Sequence, residues 1–287
     1  MTGQNVMRYV RYSSGGQTSY GVLDGDTIRE LGGDPFSNPR QTGKTVPLAQ
    51  AKLLVPVDPD KISKVVGVVD NYAPAGQPKV HQPHPFFSPK MQTSLITNGE
   101  SIEIPPESTS PSHQGSLVVV IGKAGRNVSL AEASSMVFGV AVGNDISELD
   151  WLNRVGGIMV PDRIIAKACD TWGPIGTEIV TGIDYNDLQI ETKVNGQVAA
   201  RGRTSEMNND VAHLVWYVAH YMTLLPGDII YTGAPVAMEG KANIKPGDTV
   251  EVEIEKVGKV SNPVVASKAS PNPWWTKIAE EMAAASR

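Results

Sequence analysis

Two apolar runs set the limits on what this chain can fold into. Residues 116–122 read SLVVVIG and residues 64–69 read KVVGVV, with no polar residue in either run after the opening Ser116 and Lys64. A strand with one wet face alternates apolar and polar residues, so unbroken runs of this length belong to strands covered on both faces. Valine and isoleucine favour the pleated backbone because their branched side chains pack well on it. Neither run approaches the ~20 residues needed to cross a bilayer. The fold therefore requires a sheet with material packed on each side. A chain of 287 residues supplies it, since a core of that size buries roughly 75% of the unfolded surface without help from a metal or disulfide.

The rest of the chain supplies the layers. In residues 1–57, MRYVRYSS (7–14) alternates, Gly15-Gly16 turns, and TSYGVLDGDTIREL (18–31) makes two strands around Asp24-Gly25-Asp26. GGDPFSNPRQTGKT (32–45) reads as a loop, and Asp58-Pro59 marks a boundary. Ser129 with Glu132 three residues on is a capping box at the start of SLAEASSMV. FGVAVGNDIS (138–147) is another buried strand ending in polar residues, and LQIETKVNGQVAARGRT (188–204) is a hairpin turning at Asn195-Gly196. DVAHLVWYVAHYMTL (210–224) has apolar residues at helical spacing. PGDIIYTGAP (226–235) and KPGDTVEVEIEKVG (245–258) return to strand, and residues after 262 read as a Pro/Ser linker and a short helix.

A net charge of −5 argues against nucleic acid or an anionic membrane as the main partner. The single cysteine, Cys169, excludes an internal disulfide and fits a reducing compartment. The first residues, MTGQNVMRYVRYSSGG, lack the apolar core of a signal peptide, so a cytoplasmic location is expected.

Ten segments, in order, carry a resemblance. They include YGVLDGDTIREL, NYA (71–73), NGESIEIP (98–105), VVVIGKAGRNVSLAEA (118–133), VFGVAVGNDIS (137–147), AKACDTWGPIG (166–176), VNGQVAARGRTSEM (194–207) and MTLLPGDIIYTGAP (222–235). Together they resemble the fumarylacetoacetate hydrolase family over nearly the whole chain. The resemblance implies a β-rich mixed α/β fold, a mixed β-roll core with a small N-terminal antiparallel domain, and usually a homodimer. It divides the chain into residues 1–57, a catalytic domain over 58–262, and a C-terminal linker and helix over 263–287. Family members cleave, decarboxylate, hydrate or isomerise 1,3-dicarbonyl and 2-oxo acids, commonly with Mg²⁺ or Mn²⁺. A divalent ion chelated by the substrate's oxygens stabilises the enolate that forms when a bond to carbon breaks.

The resemblance fails at the residues that hold that ion. The family's Glu-x-Glu pair, on one face of a strand by alternation, is replaced by Gln114 and Ser116; the third ligand, Asp145, is kept. Neutral oxygens compensate a divalent charge poorly, and affinity set by ligand charge falls by orders of magnitude. The family's acid/base trio after NYA is replaced by Pro74, Ala75 and Pro78. Lys90, Lys167, Tyr72, Thr232, Gly233 and Pro235 remain where the family places pocket residues.

Each candidate has a plainer alternative. Asp145 is a base, a weak metal ligand, or a strand-end cap. Lys167 and Lys90 are cations for an enolate oxygen or carboxylate, or solvated charges. His81 and His84 titrate in the right range for the missing acid/base, but a Pro-rich loop more often carries exposed histidines. His113 is expected to point away from Gln114, and His213 and His220 to be structural on one helix. Asp70 is a replacement lid acid or an ordinary loop aspartate, Cys169 is expected buried, and Trp274 and Trp275 are expected to cover an apolar surface or a second subunit.

The expected function is that of an atypical family enzyme acting on an enolisable dicarbonyl or 2-oxo compound, with no tightly bound metal. Hydrolysis of a carbon–carbon bond, decarboxylation and tautomerisation share that enolate. Lys167, Asp145 and Lys90 are the expected catalytic group, and Tyr72, Gln114, Ser116, Thr232, Gly233, His81 and His84 the expected substrate contacts. The alternatives are a non-catalytic small-molecule binder and a weak Mg²⁺ or Mn²⁺ site at Asp145 completed by the substrate.

Overall fold

The computed structural model describes residues 5–74, 76–153, 164–273, 277, 281 and 284. Its strands are β1 (Met7–Ser14), β2 (Gln17–Asp24), β3 (Thr27–Leu31), β4 (Gln41–Pro47), β5 (Lys52–Leu53), β6 (Val65–Val69), β7 (Phe86–Lys90), β8 (Leu95–Ile96), β9 (Ile102–Ile104), β10 (Pro111–Ser112), β11 (Gly115–Ile121), β12 (Val137–Asn144), β13 (Ser147–Glu148), β14 (Gly173–Pro174), β15 (Glu178–Thr181), β16 (Gln189–Val194), β17 (Gln197–Arg203), β18 (Ile229–Tyr231), β19 (Thr249–Ile254) and β20 (Gly258–Ala266). Helices are α1 (Leu130–Met136), α2 (Leu149–Asn153), α3 (Ile165–Ala168) and α4 (Val211–Tyr221). No helix among the described residues is long and apolar enough to cross a membrane.

The main sheet runs β4-β3-β2-β1-β15-β12-β11-β18-β6-β7, with β5 beside β1. The N-terminal strands thus continue the central sheet. A second sheet, β17-β16-β19-β20-β9, lies across it. Every residue of β11 is buried. Leu117, Val119 and Ile121 join a cluster with Ile190, Val252, Ile254 and Val260 of the second sheet and with Leu214 and Val218 of α4. Val118 and Val120 face the other way, toward Val55, Val57, Ile175, Ile179 and Tyr231. β11 pairs antiparallel with both β12 and β18, so its unbroken apolar run reflects two covered faces and not a parallel sheet. Gly115 lets the sheets approach: a Cβ there would stand 2.2 Å from Thr192 Oγ1.

Local signals account for several elements. Asn195 and Gly196 adopt φ of 51° and 75° in the β16–β17 hairpin, as its two-residue turn requires. Ser129 and Glu132 form the capping box of α1. α4 starts at the Asp210 cap and buries Val211, Leu214, Val215, Val218 and Ala219 on one stripe. Two expectations need correction. Residues 41–45 belong to strand β4, whose side chains are nearly all exposed; an edge strand with polar faces leaves no apolar pattern to read. Strand β20 extends to Ala266 through Pro263, inside what the sequence suggests is a linker.

Candidate functional site

Three strand ends and one short helix meet at Asp145. β12 delivers it one residue past its last, β7 delivers Lys90, α3 delivers Lys167, and the residue before β11 is Gln114. Asp145 and Lys167 are wholly buried and Lys90 nearly so, while Gln114 is half-buried. Lys90 Nζ lies 2.8 Å from Asp145 Oδ1, and Lys167 Nζ lies 3.1 Å from Oδ2. Lys167 Nζ also donates to Gln114 Oε1 at 2.7 Å. Lys90 Nζ donates further to the carbonyls of Lys167 and Ile146 and stands 5.9 Å from the centroid of the Tyr231 ring, within cation–π range.

Backbone register sets this geometry. Gly115 pairs with Asn144, Asp145 N donates to Gln114 O at 2.9 Å, and Gln114 N donates to Asn144 Oδ1 at 2.8 Å. Gly67, opposite in β6, leaves the room: a Cβ there would stand 2.6 Å from Asp145 Oδ2. Gly67→Ala therefore pushes the carboxylate off its lysines, and overpacking of this kind costs about 1–3 kcal/mol. Denaturant titration together with turnover checks this; a variant unchanged in both would refute the tight fit.

Burial alone would raise the Asp145 carboxyl, but the two ammonium groups and their hydrogen bonds hold it below the usual carboxylate range. Burial lowers the Lys90 ammonium, with Asp145 opposing and Lys167 adding to the effect. For Asp145 the folded value lies below the unfolded one. Its stabilising contribution is therefore complete above about pH 5 and lost as pH falls toward the folded value. Unfolding free energy should drop on acidification from about pH 5, measured by urea titration at stepped pH. The step should be smaller in Asp145→Asn, and an identical acid limb in that variant would contradict it.

The donor set does not fit a tightly held divalent cation. Mg²⁺ seeks six oxygens with carboxylates among them. Here Gln114 and Ser116 are neutral, Ser116 Oγ donates to Gln114 O at 3.1 Å, and both oxygens of Asp145 are occupied by ammonium groups. No group of three His, Cys, Asp or Glu suited to a metal occurs among the described residues.

Other candidates lie elsewhere. Tyr72 packs in the cluster of Leu117, Val119 and Met207, the face of β11 opposite Ser116 and Val118. Burial raises its phenol, with Glu206 adding to the effect, and it lines a cavity of about 510 Å³ with Pro74, Gln77, Arg201, Glu206 and Pro235. Thr232 Oγ1 donates to Leu117 O at 2.9 Å. Gly233, at φ 90°, passes so close to Asn71 that a Cβ would stand 2.8 Å from Asn71 Cβ. Asn71 ties the segments together, donating to Thr232 O and Asn209 O and accepting from Asn209 N.

His81 and His84 rest on α4, against His213 at 5.0 Å and Tyr217 at 6.2 Å between ring centroids. The structure does not bring them to Asp145. α4 buries its stripe on the far side of the sheet. Asp70 is exposed, and its carbonyl accepts from Gln82 and Asn208. His113 is buried with Nε2 2.8 Å from Lys241 O, and burial lowers its imidazole. His220 packs edge-on against Tyr221 and tilted against Trp216. Cys169 is half-buried rather than buried, with Sγ near Ile165 O. Pro74 and Pro78 are exposed, and Ala75, Trp274 and Trp275 lie outside the described residues. Gly67, Asn71, Asn144 and Tyr231 escape the sequence reading. Of these only Gly67 gives a signal, as a glycine in the middle of a valine strand.

Residues 64–265 match the family model described as fumarylacetoacetate (FAA) hydrolase, C-terminal, and residues 7–56 match one described as Rv2993c-like, N-terminal. Protein Rv2993c of Mycobacterium tuberculosis is 36% identical over 274 residues, which span 90% of this chain and 98% of that protein. The mitochondrial oxaloacetate tautomerase Fahd2a of Rattus norvegicus is 35% identical over 230 residues, 77% of this chain and 71% of its own. A crystal structure of 5-carboxymethyl-2-hydroxymuconate delta-isomerase from Mycobacterium smegmatis superposes with a TM-score of 0.81 at 37% identity, covering 91% of this chain and 100% of that one.

Proposed function

This chain belongs to the fumarylacetoacetate hydrolase family, and on that premise we propose that it is a tautomerase or isomerase of enolisable 2-oxo or 1,3-dicarbonyl acids, working without a tightly bound metal. The observation that carries this is the pair of lysines on one buried carboxylate. Relative to the family's usual site, two carboxylates and one divalent ion are missing. The two lost negative charges balance the two lost positive ones, so the formal charge presented to an anionic substrate stays the same. The positive pole is now Lys167. Its nitrogen supplies the electrophilic pull on the substrate's carbonyl oxygen or carbon, aimed where charge develops.

Lys90 is read as a positioning residue, because its three N–H groups are all spent on Asp145 and two carbonyls. Proton transfer at carbon and decarboxylation need only an electron sink, whereas hydrolysis also needs an activated water. The 74–78 segment offers no titratable side chain for that, and the loop histidines sit on α4. Isomerisation is favoured over cleavage for this reason. Relatives whose names specify tautomerase and isomerase activity fit the same preference.

The full burial of Asp145 and Lys167 is the one observation favouring a non-catalytic binder, in which the cluster is only a core ion pair. Ketonisation of an enol 2-oxo acid such as enol-oxaloacetate, followed by ultraviolet absorbance, separates the two. Turnover unchanged by EDTA is expected. Turnover abolished by EDTA would overturn the metal-free reading, and ligand binding without turnover would favour the binder.

A further inference from the structure

None of Asp145, Lys90, Lys167, Gln114 and Ser116 lines the cavity that Tyr72 lines. We infer that this cavity is a second ligand site, selective for a small protonated amine that also carries a neutral oxygen. The inference does not depend on the reaction proposed above. It rests on an unmet hydroxyl, on the charge at the rim and on the way the walls are held.

Tyr72 is 5% exposed, and its Oη is buried with no hydrogen-bond partner among the described residues. Buried hydroxyls nearly always have one, and leaving one unmet costs stability. The same side chain lines a space of about 510 Å³, within the range of small-molecule pockets. A ligand oxygen accepting from this phenol satisfies it. Burial and the neighbouring Glu206 push the phenol well up, so it stays a neutral O–H donor.

The rim favours a cation over an anion. Glu206 and Glu239 line the cavity and are exposed, and neither forms an ion pair with a described residue. Of the cations there, Arg201 is neutralised by Glu191, and Lys79 Nζ donates to Ser205 O. One ammonium thus stands against two carboxylates. Glu206 is also the charge that acts on Tyr72, so a carboxylate ligand reaching the phenol is repelled and an ammonium is attracted.

The walls are already in place. A Cβ at Gly202 would stand 2.8 Å from Glu206 Oε2 and 2.7 Å from Pro235 Cγ, which sets the carboxylate beside the proline. Glu206 Oε2 also accepts from Arg203 N at 2.9 Å. Met238 N donates to Ala199 O at 2.8 Å, tying residues 235–239 to β17. In the other wall Gln77 N donates to Pro74 O at 2.9 Å, and Val80 N donates to Asn208 Oδ1 at 2.9 Å. A site held in this way loses little freedom on binding. Pro74, Pro235, Val236 and Met238 give it apolar surface, suited to a short carbon chain between an ammonium and a hydroxyl.

Calorimetric titration of the intact protein with aminopropanol, aminobutanol and aminopentanol at neutral pH tests the site. At least one should bind saturably, at one site per chain. Tyr72→Phe and Glu206→Gln should each weaken that binding by roughly tenfold or more, the scale of a lost hydrogen bond or charge contact. The alkanol and the hydroxyalkanoate of equal length, which lack the ammonium or replace it with a carboxylate, should bind more weakly by a similar factor. Tyr72→Phe should leave the thermal midpoint unchanged or raised, because the hydroxyl it removes has no partner to lose. A clear fall in that midpoint would show a structural hydroxyl and overturn the site. No binding of any aminoalkanol, undiminished binding by both variants, or equal binding of the alkanol or hydroxyalkanoate would overturn it as well.

Discussion

Lys167→Met should lower kcat/KM for a 2-oxo acid by roughly three orders of magnitude, with the thermal midpoint shifting by no more than a few degrees. The two halves of this expectation have different physical origins. Among the described residues Lys167 Nζ has two acceptors where Lys90 Nζ has three, and on the proposed reading the loss of Lys167 removes the electrophile. Its loss also leaves Asp145 paired with Lys90, so no buried charge is stranded, and an apolar chain of similar length fills the space. Lys90→Met makes the control. It strands two carbonyls and removes the nearer partner of Asp145, and leaving a buried acceptor unsatisfied costs about 1–3 kcal/mol each. Activity loss at Lys167 and stability loss at Lys90 are thus predicted to separate. Equal stability losses at both positions would show a structural ion-pair network, and retained turnover in Lys167→Met would remove that residue from the mechanism.

The contrast between these lysines was only partly legible in the sequence. Chain order and the resemblance placed Asp145, Lys90 and Lys167 near one another, because strand ends and motif spacing are local properties. Which lysine is saturated is not local. It depends on the carbonyls of Ile146 and Lys167 converging on Lys90, which only the folded backbone decides. His81 and His84 show the same limit: their composition suits acid/base work, but their direction is set by packing on His213 and Tyr217, more than a hundred residues away. Tyr72 follows a loop whose register the spacing could not fix, and one step of register moves a side chain to the opposite face. By contrast β11, the Asn195-Gly196 hairpin and the α1 capping box were readable because each is fixed by neighbours within a few residues.

The substitution of charge for charge yields the second large effect, in the double variant Gln114→Glu, Ser116→Glu. In the wild-type protein the formal charges of Lys90 and Lys167 outweigh that of Asp145 by one. Two added glutamates turn that excess into a deficit of one, and the second of them stands at Ser116, which is wholly buried. An unpaired buried carboxylate is costly, so the metal-free variant should lose about 3–5 kcal/mol. A divalent ion restores the original balance and supplies what the carboxylates lack. Mn²⁺ should therefore raise the variant's thermal midpoint by several degrees, through ordinary ligand linkage, and should leave the wild-type midpoint unmoved. Differential scanning fluorimetry with and without Mn²⁺ measures both. A wild-type protein stabilised by Mn²⁺ as strongly as the variant would mean that Asp145 and neutral oxygens suffice for the ion, and the lysines' grip on the carboxylate would then be the apo state of an ordinary metal site. A variant indifferent to Mn²⁺ would mean that the lysines hold the new glutamates too firmly for any ion to compete, so that the exchange of metal for lysine cannot be reversed at two positions alone.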